Sequence, residues 1–139
     1  MKKLISLTLI LSTFVFIVSC RDSEFDNNKA NALCEKAIKL IHEKNYTELS
    51  KLYTDDFKTS ESPEVRAEHF DKIIEVTGGM KSDSLISSSP KTSDDNDELV
   101  MVYKVIAERM TINESFTIAK ENGEYRIAQI NIQQEQKNN

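Results

Sequence analysis

A chain of 139 residues holds one ordinary domain and leaves no room for a second hydrophobic core. It carries 23 acidic residues against 18 basic ones, a formal net charge of −5. This excess of acid argues against a nucleic-acid partner and against a polybasic contact with anionic lipid.

The N-terminal segment, residues 1–19, has the pattern of a bacterial lipoprotein signal peptide. Lys2 and Lys3 come before an uncharged, mostly apolar run, residues 4–18, which has the length of a signal-peptide core. A membrane span needs about 20 predominantly apolar residues, so this run is short for one. The residues that close it, Ile-Val-Ser-Cys20, resemble a lipobox. This resemblance implies cleavage before Cys20, a diacylglyceryl thioether on its sulfur and an N-acyl chain such as palmitate.

Lipid on Cys20 would hold the protein on a membrane of the bacterial cell envelope, because two or more acyl chains anchor stably. Arg21 rather than aspartate follows the cysteine, which resembles an outer-membrane address in a Gram-negative cell. In a Gram-positive cell the anchor would lie in the only membrane. The alternatives are an ordinary secretory signal and an uncleaved anchor. Cleavage would leave 120 residues with 16 basic and 23 acidic side chains, a net charge of −7, and Cys34 without an intramolecular disulfide partner.

The first helix is predicted shortly after this anchor. Residues 20–28 contain Cys20 and a polar stretch with too little apolar surface to be ordered, which predicts a flexible tether. Apolar residues at helical spacing then predict a helix over residues 29–43. Cys34 lies on its apolar face, so we expect a buried, unreactive thiol. His42 lies beside that face, so we expect it at the surface.

Two further helices are predicted before the chain changes character. Apolar residues spaced by three and four indicate a short helix over residues 46–53. The helix over residues 63–77 has the clearest ends: a serine that can cap it, a proline at its first position and a Gly-Gly pair that stops it. His69 lies one residue from its apolar stripe, so we expect a histidine at the edge of the core rather than a ligand or a base.

After Gly79 the apolar period changes from about 3.6 to 2, which predicts a sheet. The second predicted strand is apolar on both faces, so we expect cover on both sides. Asn122-Gly123 is the signal of a two-residue hairpin turn between the last two strands. The predicted strands cover residues 82–88, 99–110, 114–120 and 125–132.

The loops and the tail carry no predicted site. The acidic loop over residues 94–98 lacks the glycine and the glutamate of a calcium loop, so no metal site is predicted there. Residues 133–139 contain no apolar side chain and are predicted to be disordered.

This order of elements resembles a known superfamily. Three helices, the Gly-Gly break and a sheet that ends in the segment from Glu114 to Ile130 look like a nuclear transport factor 2-like domain over residues 29–132. The stretch over residues 40–57, a short helix followed by Asp-Asp-Phe, is similar to one common there. The match is closest to bacterial envelope lipoproteins of unassigned function. The resemblance implies an α+β fold, a cone in which N-terminal helices pack in a curved antiparallel β-sheet.

The same resemblance implies an open, largely apolar pocket in the cone, which some members fill with a ligand and others with side chains or a partner. The alternative is that the rings near it simply pack the core. By position, the candidates for lining such a pocket are Tyr53, Phe57, Phe70, Tyr103, Phe116 and Gln129.

An enzyme of the ketosteroid isomerase-like or dehydratase-like type would place an acid–base carboxylate or histidine in the cone. Here that chemistry would depend on Asp55, Asp56 or His69, with a tyrosine as electrophile. The two aspartates have the setting of a solvated turn, and no predicted strand position offers a buried carboxylate. No nucleophile elbow, phosphate loop or Cys/His cluster is present in the sequence. We therefore assign no catalytic residue and predict no cofactor.

Three hypotheses of function remain. The preferred one is a non-catalytic binding or interaction module, held on the membrane through Cys20 and in contact with an envelope protein. The second is a carrier of a small apolar ligand in the cone, and the third is an acid–base enzyme. The resemblance also implies a homodimer through the open sheet face, to which Tyr125, Arg126 and Ala128 could contribute.

Overall fold

The computed structural model describes residues 25–92 and 97–135. The predicted signal peptide, Cys20 and the last four residues lie outside them. Within the described residues, no helix is long and apolar enough to cross a membrane. The elements in chain order are the helices α1 (Asn27–His42), α2 (Tyr46–Ser50), α3 (Asp55–Thr59) and α4 (Pro63–Thr77), then the strands β1 (Met80–Thr92), β2 (Asp97–Ala107), β3 (Thr111–Glu121) and β4 (Glu124–Gln134).

Helix α1 begins two residues earlier than predicted. The Asp26 side chain accepts hydrogen bonds from the backbone N–H groups of Asn28 and Lys29, which satisfies two donors that a helix start leaves open. Phe25 is only 7% exposed, so part of the predicted tether belongs to the ordered domain. The prediction failed because Phe25 packs on a residue 100 positions further on, Tyr125.

The region between α1 and α4 differs from the prediction, whereas α4 confirms it. Helix α2 ends at Ser50 rather than at residue 53, and a separate helix α3 follows, with the Thr54 hydroxyl accepting from Phe57 N. Helix α4 has the predicted ends, because Ser62 caps it, Pro63 opens it and Gly78 ends it with φ +79° and ψ −173°. That conformation is essentially restricted to glycine.

The four strands form one antiparallel sheet in the order β1-β2-β3-β4. The predicted hairpin turn is confirmed, since Asn122 and Gly123 have φ of 53° and 79° between β3 and β4. Strand β4 continues to Gln134, and Glu135 N donates to the Thr111 carbonyl. The prediction of a disordered tail is therefore wrong for residues 133–135. Hydrogen bonds with β3 order these residues, although they bury no apolar side chain.

One face of the sheet packs against the helices. In β2 and β3 every second residue is buried, and these side chains form the core with the apolar face of α1. On the opposite face Val100 and Val102 are half-buried and Ile106 is exposed, so the predicted cover on both sides of β2 is only partial. The fold is α+β, with helices packed against a curved antiparallel sheet.

The two outer strands of this sheet have different surroundings. Strand β1 is exposed along almost its whole length, and the register with β2 shifts at two places, where Lys81 and Ile86 are the extra residues. Pro90, on the same strand, has no N–H to donate. Strand β4 meets the segment between α2 and α3 through a parallel bridge of Tyr53 with Ile127.

Candidate functional site

A histidine and a glutamate meet inside the domain. His42 Nε2 lies 2.8 Å from Glu114 Oε1, and their side chains are 6% and 0% exposed. With Glu114 as a carboxylate, Nε2 carries the proton and donates it. Histidine and glutamate are the side-chain types that most often move protons in active sites. The pair therefore forms the candidate site of this domain.

Two elements far apart in sequence position this pair. His42 is the last residue of α1, four residues after the buried Ile38, so it continues the face of the helix that packs on the sheet. Glu114 lies on β3 between Ile112 and Phe116, which are both buried on the same face. The packing of α1 across the sheet thus brings the two groups into contact.

Both members of the pair keep one polar atom without a partner among the described residues. His42 Nδ1 and Glu114 Oε2 are buried, and neither makes a hydrogen bond. A buried polar atom that lacks a hydrogen bond costs about 1–3 kcal/mol. The candidate site therefore contains two buried polar atoms whose hydrogen-bonding capacity the described residues leave unused.

Two predictions about these residues are wrong. His42 is not a surface residue, and β3 does carry a buried carboxylate. Signals for both exist in the sequence: His42 follows Cys34 and Ile38 at steps of four, and Glu114 has the same parity along its strand as Phe116. The contact between His42 and Glu114 could not be predicted from these signals, because the residues are 72 positions apart.

The predicted pocket-lining rings lie in the core or partly buried beside it. Tyr103 is buried, packs edge-on against Phe116 with ring centroids 6.0 Å apart, and donates its hydroxyl to Asn31 Oδ1 at 2.6 Å. Phe70 is buried and stacks on Tyr46 with centroids 5.7 Å apart. Burial raises the pKa of the Tyr103 hydroxyl above its ordinary value, so this group stays protonated at neutral pH.

The other three candidates lie elsewhere. Tyr53 and the half-buried Phe57 pack edge-on at 4.7 Å, beneath the guanidinium of Arg66. Gln129 is exposed and pairs with Thr117, whose side chain lies on the sheet face away from the helices. Whether any of the six touches a ligand stays a prediction.

Arg66 was not singled out from the sequence, although it is a buried charge. Its guanidinium lies 4.4 Å from the ring centroid of Phe57, and Nη2 donates to the Phe57 carbonyl at 2.7 Å and to Ser60 Oγ at 3.1 Å. Glu61 is its nearest carboxylate, at 3.6 Å from Nε. These contacts join the end of α3 to α4, so we assign Arg66 a structural role.

The groups on which an enzyme would have depended are at the surface. Asp55 and Asp56 are exposed at the start of α3, as a solvated turn predicts. The His69 side chain is 59% exposed and lies 3.3 Å from Glu61 Oε1, so its predicted place at the core edge is wrong. Among the described residues, no three metal-ligating side chains lie close enough to hold an ion.

Cys34 is buried on the same face of α1 as His42, about two turns earlier in the helix. Burial raises the pKa of its thiol to about 12, and its sulfur lies 3.9 Å from the sulfur of Met101. A thiol with this pKa is not a nucleophile at neutral pH. The predicted buried position of Cys34 is confirmed.

Comparison with known proteins supports the fold. No protein-family model matches the chain, and no curated protein matches it. The chain is similar to a DUF4783 family protein from Bacteroides uniformis, at a TM-score of 0.53 and 15% identity, over 74% of this chain and 97% of that one. It is similar to Aln2 from a Streptomyces species, at a TM-score of 0.52 and 9% identity, over 78% of this chain and 89% of that one.

A third solved structure, of a scytalone dehydratase candidate from Novosphingobium aromaticivorans, has a TM-score of 0.49 and 10% identity, over 79% of this chain and 84% of that one. At these identities the likeness concerns the fold. The fold shared with the first two structures is the α+β architecture that the order of elements predicted, with helices packed against a curved antiparallel sheet.

Proposed function

We propose that this protein is a lipid-anchored binding module of the bacterial cell envelope, which holds a small ligand inside its cone at His42 and Glu114. The observation that supports it is the buried pair with two unpartnered atoms. The lipobox-like sequence that ends at Cys20 supports the anchor.

The energetics of the pair favour a binding role over a structural one. Replacing both partners of a buried hydrogen bond by apolar groups of the same shape is often nearly neutral or stabilising, so such a pair contributes little to the stability of a core. Here the cost is larger, because Nδ1 and Oε2 lack partners. A ligand that bonds to these atoms would offset that cost.

The surroundings of the pair define the class of ligand. On β3 the carboxylate of Glu114 has Ile112 and Phe116 as neighbours on its face, and it lies opposite Ile132 of β4 and Tyr103 of β2. These apolar neighbours would match an apolar ligand body, and the two acceptor atoms Nδ1 and Oε2 would match an uncharged donor group. We therefore propose a small, mostly apolar molecule with a hydroxyl or an amide N–H group.

Native mass spectrometry tests this proposal on the protein purified from the envelope extract of its own host. We expect the wild type to retain a small molecule and the Glu114→Gln variant to retain at least tenfold less, with both folded by circular dichroism. Glu124→Gln is the matched control, because Glu124 is 68% exposed on the next strand. Wild type without a bound molecule, or equal retention by Glu114→Gln, would contradict the proposal. A protein found bound instead would favour the interaction module.

Acid–base catalysis is the second candidate, and the hydrogen bond between His42 and Glu114 is the observation that favours it. The same experiment distinguishes catalysis from ligand binding alone. A catalyst leaves product on the wild type and unreacted substrate on Glu114→Gln, so the molecules extracted from the two proteins would differ in chromatographic retention or fragmentation, even where an isomerisation leaves the mass unchanged. The same molecule on both proteins would indicate binding alone.

The anchor has its own test. We expect the wild type to enter the detergent phase on phase separation and to give an N-terminal peptide with the mass of an acylated Cys20. The Cys20→Ser variant should stay in the aqueous phase. A wild type without acyl mass would exclude the lipid anchor and leave the binding site untouched.

A further inference from the structure

We infer that the domain stands on the membrane with its β3–β4 turn towards the bilayer and its β2–β3 turn away from it. This inference rests on the proposed lipid anchor at Cys20. It adds the orientation of the molecule on a lipid surface, and with it the side from which a ligand reaches the site.

The first described residues, Phe25 and Asp26, pack against one end of the sheet. The ring of Phe25 packs on Tyr125 with centroids 5.3 Å apart, and Asp26 N donates to the Tyr125 hydroxyl at 2.5 Å. The ammonium of Lys120 lies over both rings, 5.4 Å from the centroid of Phe25 and 5.9 Å from that of Tyr125. Lys120 and Tyr125 flank the β3–β4 turn, so Phe25 lies next to this turn.

The length of chain before this attachment is short. Phe25 follows Cys20 by five residues, and five residues span at most about 17 Å when fully extended. A lipid on Cys20 therefore holds Phe25 within about 17 Å of the bilayer surface, and Phe25 contacts Tyr125 beside the β3–β4 turn. If the ordered chain began at residue 29, as the sequence predicted, this limit on the distance between the turn and the bilayer would not apply.

The opposite end of the sheet is free to move away from the membrane. Strand β3 has 11 residues, and a strand rises about 3.4 Å per residue, so the β2–β3 turn lies about 34 Å from the β3–β4 turn. An attachment at one end of the sheet and an opposite end without one favour an upright domain.

This orientation sets the route to the candidate site. Glu114 is three residues from the first residue of β3, Thr111, and seven from its last, Glu121. The pair therefore lies in the half of the domain that is farther from the bilayer. A ligand would reach it from the aqueous side rather than directly from the lipid.

Energy transfer to a bilayer tests the orientation. The lipidated full-length protein is placed on liposomes of phosphatidylcholine and phosphatidylglycerol that carry an acceptor on some headgroups. A single donor dye is attached at Glu124→Cys, beside the β3–β4 turn, or at Val76→Cys, which is 58% exposed near the other end of the sheet. Cys34 does not compete for the dye, because it is buried with a thiol pKa of about 12.

We expect at least twofold more transfer from position 124 than from position 76. Equal transfer, or more from position 76, would overturn the inference. Insertion of ten Gly/Ser residues before Glu24 should reduce the difference, because it releases the turn from the surface. Flotation with the liposomes, measured on the same samples, reports on the anchor: protein that does not float refutes lipidation and with it the orientation, whereas floating protein without a difference refutes the orientation alone.

Discussion

The buried pair of His42 and Glu114 predicts a non-additive pattern of stability. Leucine at position 42 leaves a buried, unpaired carboxylate, which costs about 3–5 kcal/mol, whereas leucine at both positions removes both polar groups. We expect His42→Leu with Glu114→Leu to be at least about 2 kcal/mol more stable to urea than His42→Leu alone. Additive losses would show that the two groups are not coupled.

The Cys34 thiol predicts a pH dependence. Because burial raises its pKa from 9.0 to about 12, the unfolded chain loses this proton at a lower pH than the folded chain does. The stabilisation is complete below pH 9 and is lost as the pH rises towards 12, at up to about 1.4 kcal/mol per pH unit. Urea unfolding of wild type and Cys34→Ala measures it, since their difference cancels Tyr46 and Tyr53, whose raised pKa values do not depend on Cys34. Parallel curves above pH 9 would contradict the assignment.

Single positions show where sequence reasoning reaches its limit. The burial of Cys34 follows from the spacing of apolar residues along one helix, and the sequence predicted it. The burial of Glu114 follows from a partner on another element, and a glutamate without a visible partner is expected in water. Local patterns carry no information on contacts across 72 residues, so the candidate site could not be predicted.

At the scale of elements, the position of Gly78 predicts that adding one methyl group there lowers the stability strongly. It has φ +79°, and a Cβ there would lie 2.8 Å from the Cβ of Glu108. Gly123 has the same φ and nothing within 4 Å, so Gly123→Ala is the matched control. We expect Gly123→Ala to cost about 1 kcal/mol and Gly78→Ala about 2–4 kcal/mol in thermal or urea unfolding. Equal losses would mean that neither the contact with Glu108 nor the ψ of −173° at Gly78 adds to the cost.

Elements with local signals at both ends were predicted well. Helix α4 lies between Ser62 and Gly78, and the Asn122-Gly123 turn fixes the register of its hairpin. Helix α3 was missed, because five residues are too few for a periodic pattern and Arg66 of α4 provides much of its support. Strand β1 was predicted too short, because its Ser-rich sequence carries no apolar face of its own.

At the scale of the whole molecule, the boundary of the domain predicts the effect of truncation. A chain that begins at Lys29 lacks Phe25 and the helix cap of Asp26. Loss of the buried ring costs about 1.5–3 kcal/mol and loss of the cap about 1 kcal/mol. We expect urea unfolding to show a difference of about 2–4 kcal/mol from a chain that begins at Ser23. Equal stability would place the boundary after Asp26.

The order of the elements was enough to predict the architecture, because three helices followed by an antiparallel sheet can bury their apolar faces together in few ways. The interior of the cone depends on which side chains meet, and many functions share one fold. The binding role proposed here therefore depends on His42 and Glu114 rather than on the fold.

The two outer strands of the sheet would have a consequence if the proposed lipid on Cys20 concentrates the protein on a membrane. Molecules confined to a membrane collide often, and an open strand edge is a template on which a neighbour can continue the sheet into a fibre. The extra residues Lys81 and Ile86 and the missing N–H of Pro90 interrupt that template on β1, and Tyr53 occupies part of the other edge at Ile127. Under the proposed anchor, crowding on the membrane should therefore not extend the sheet from one copy into the next.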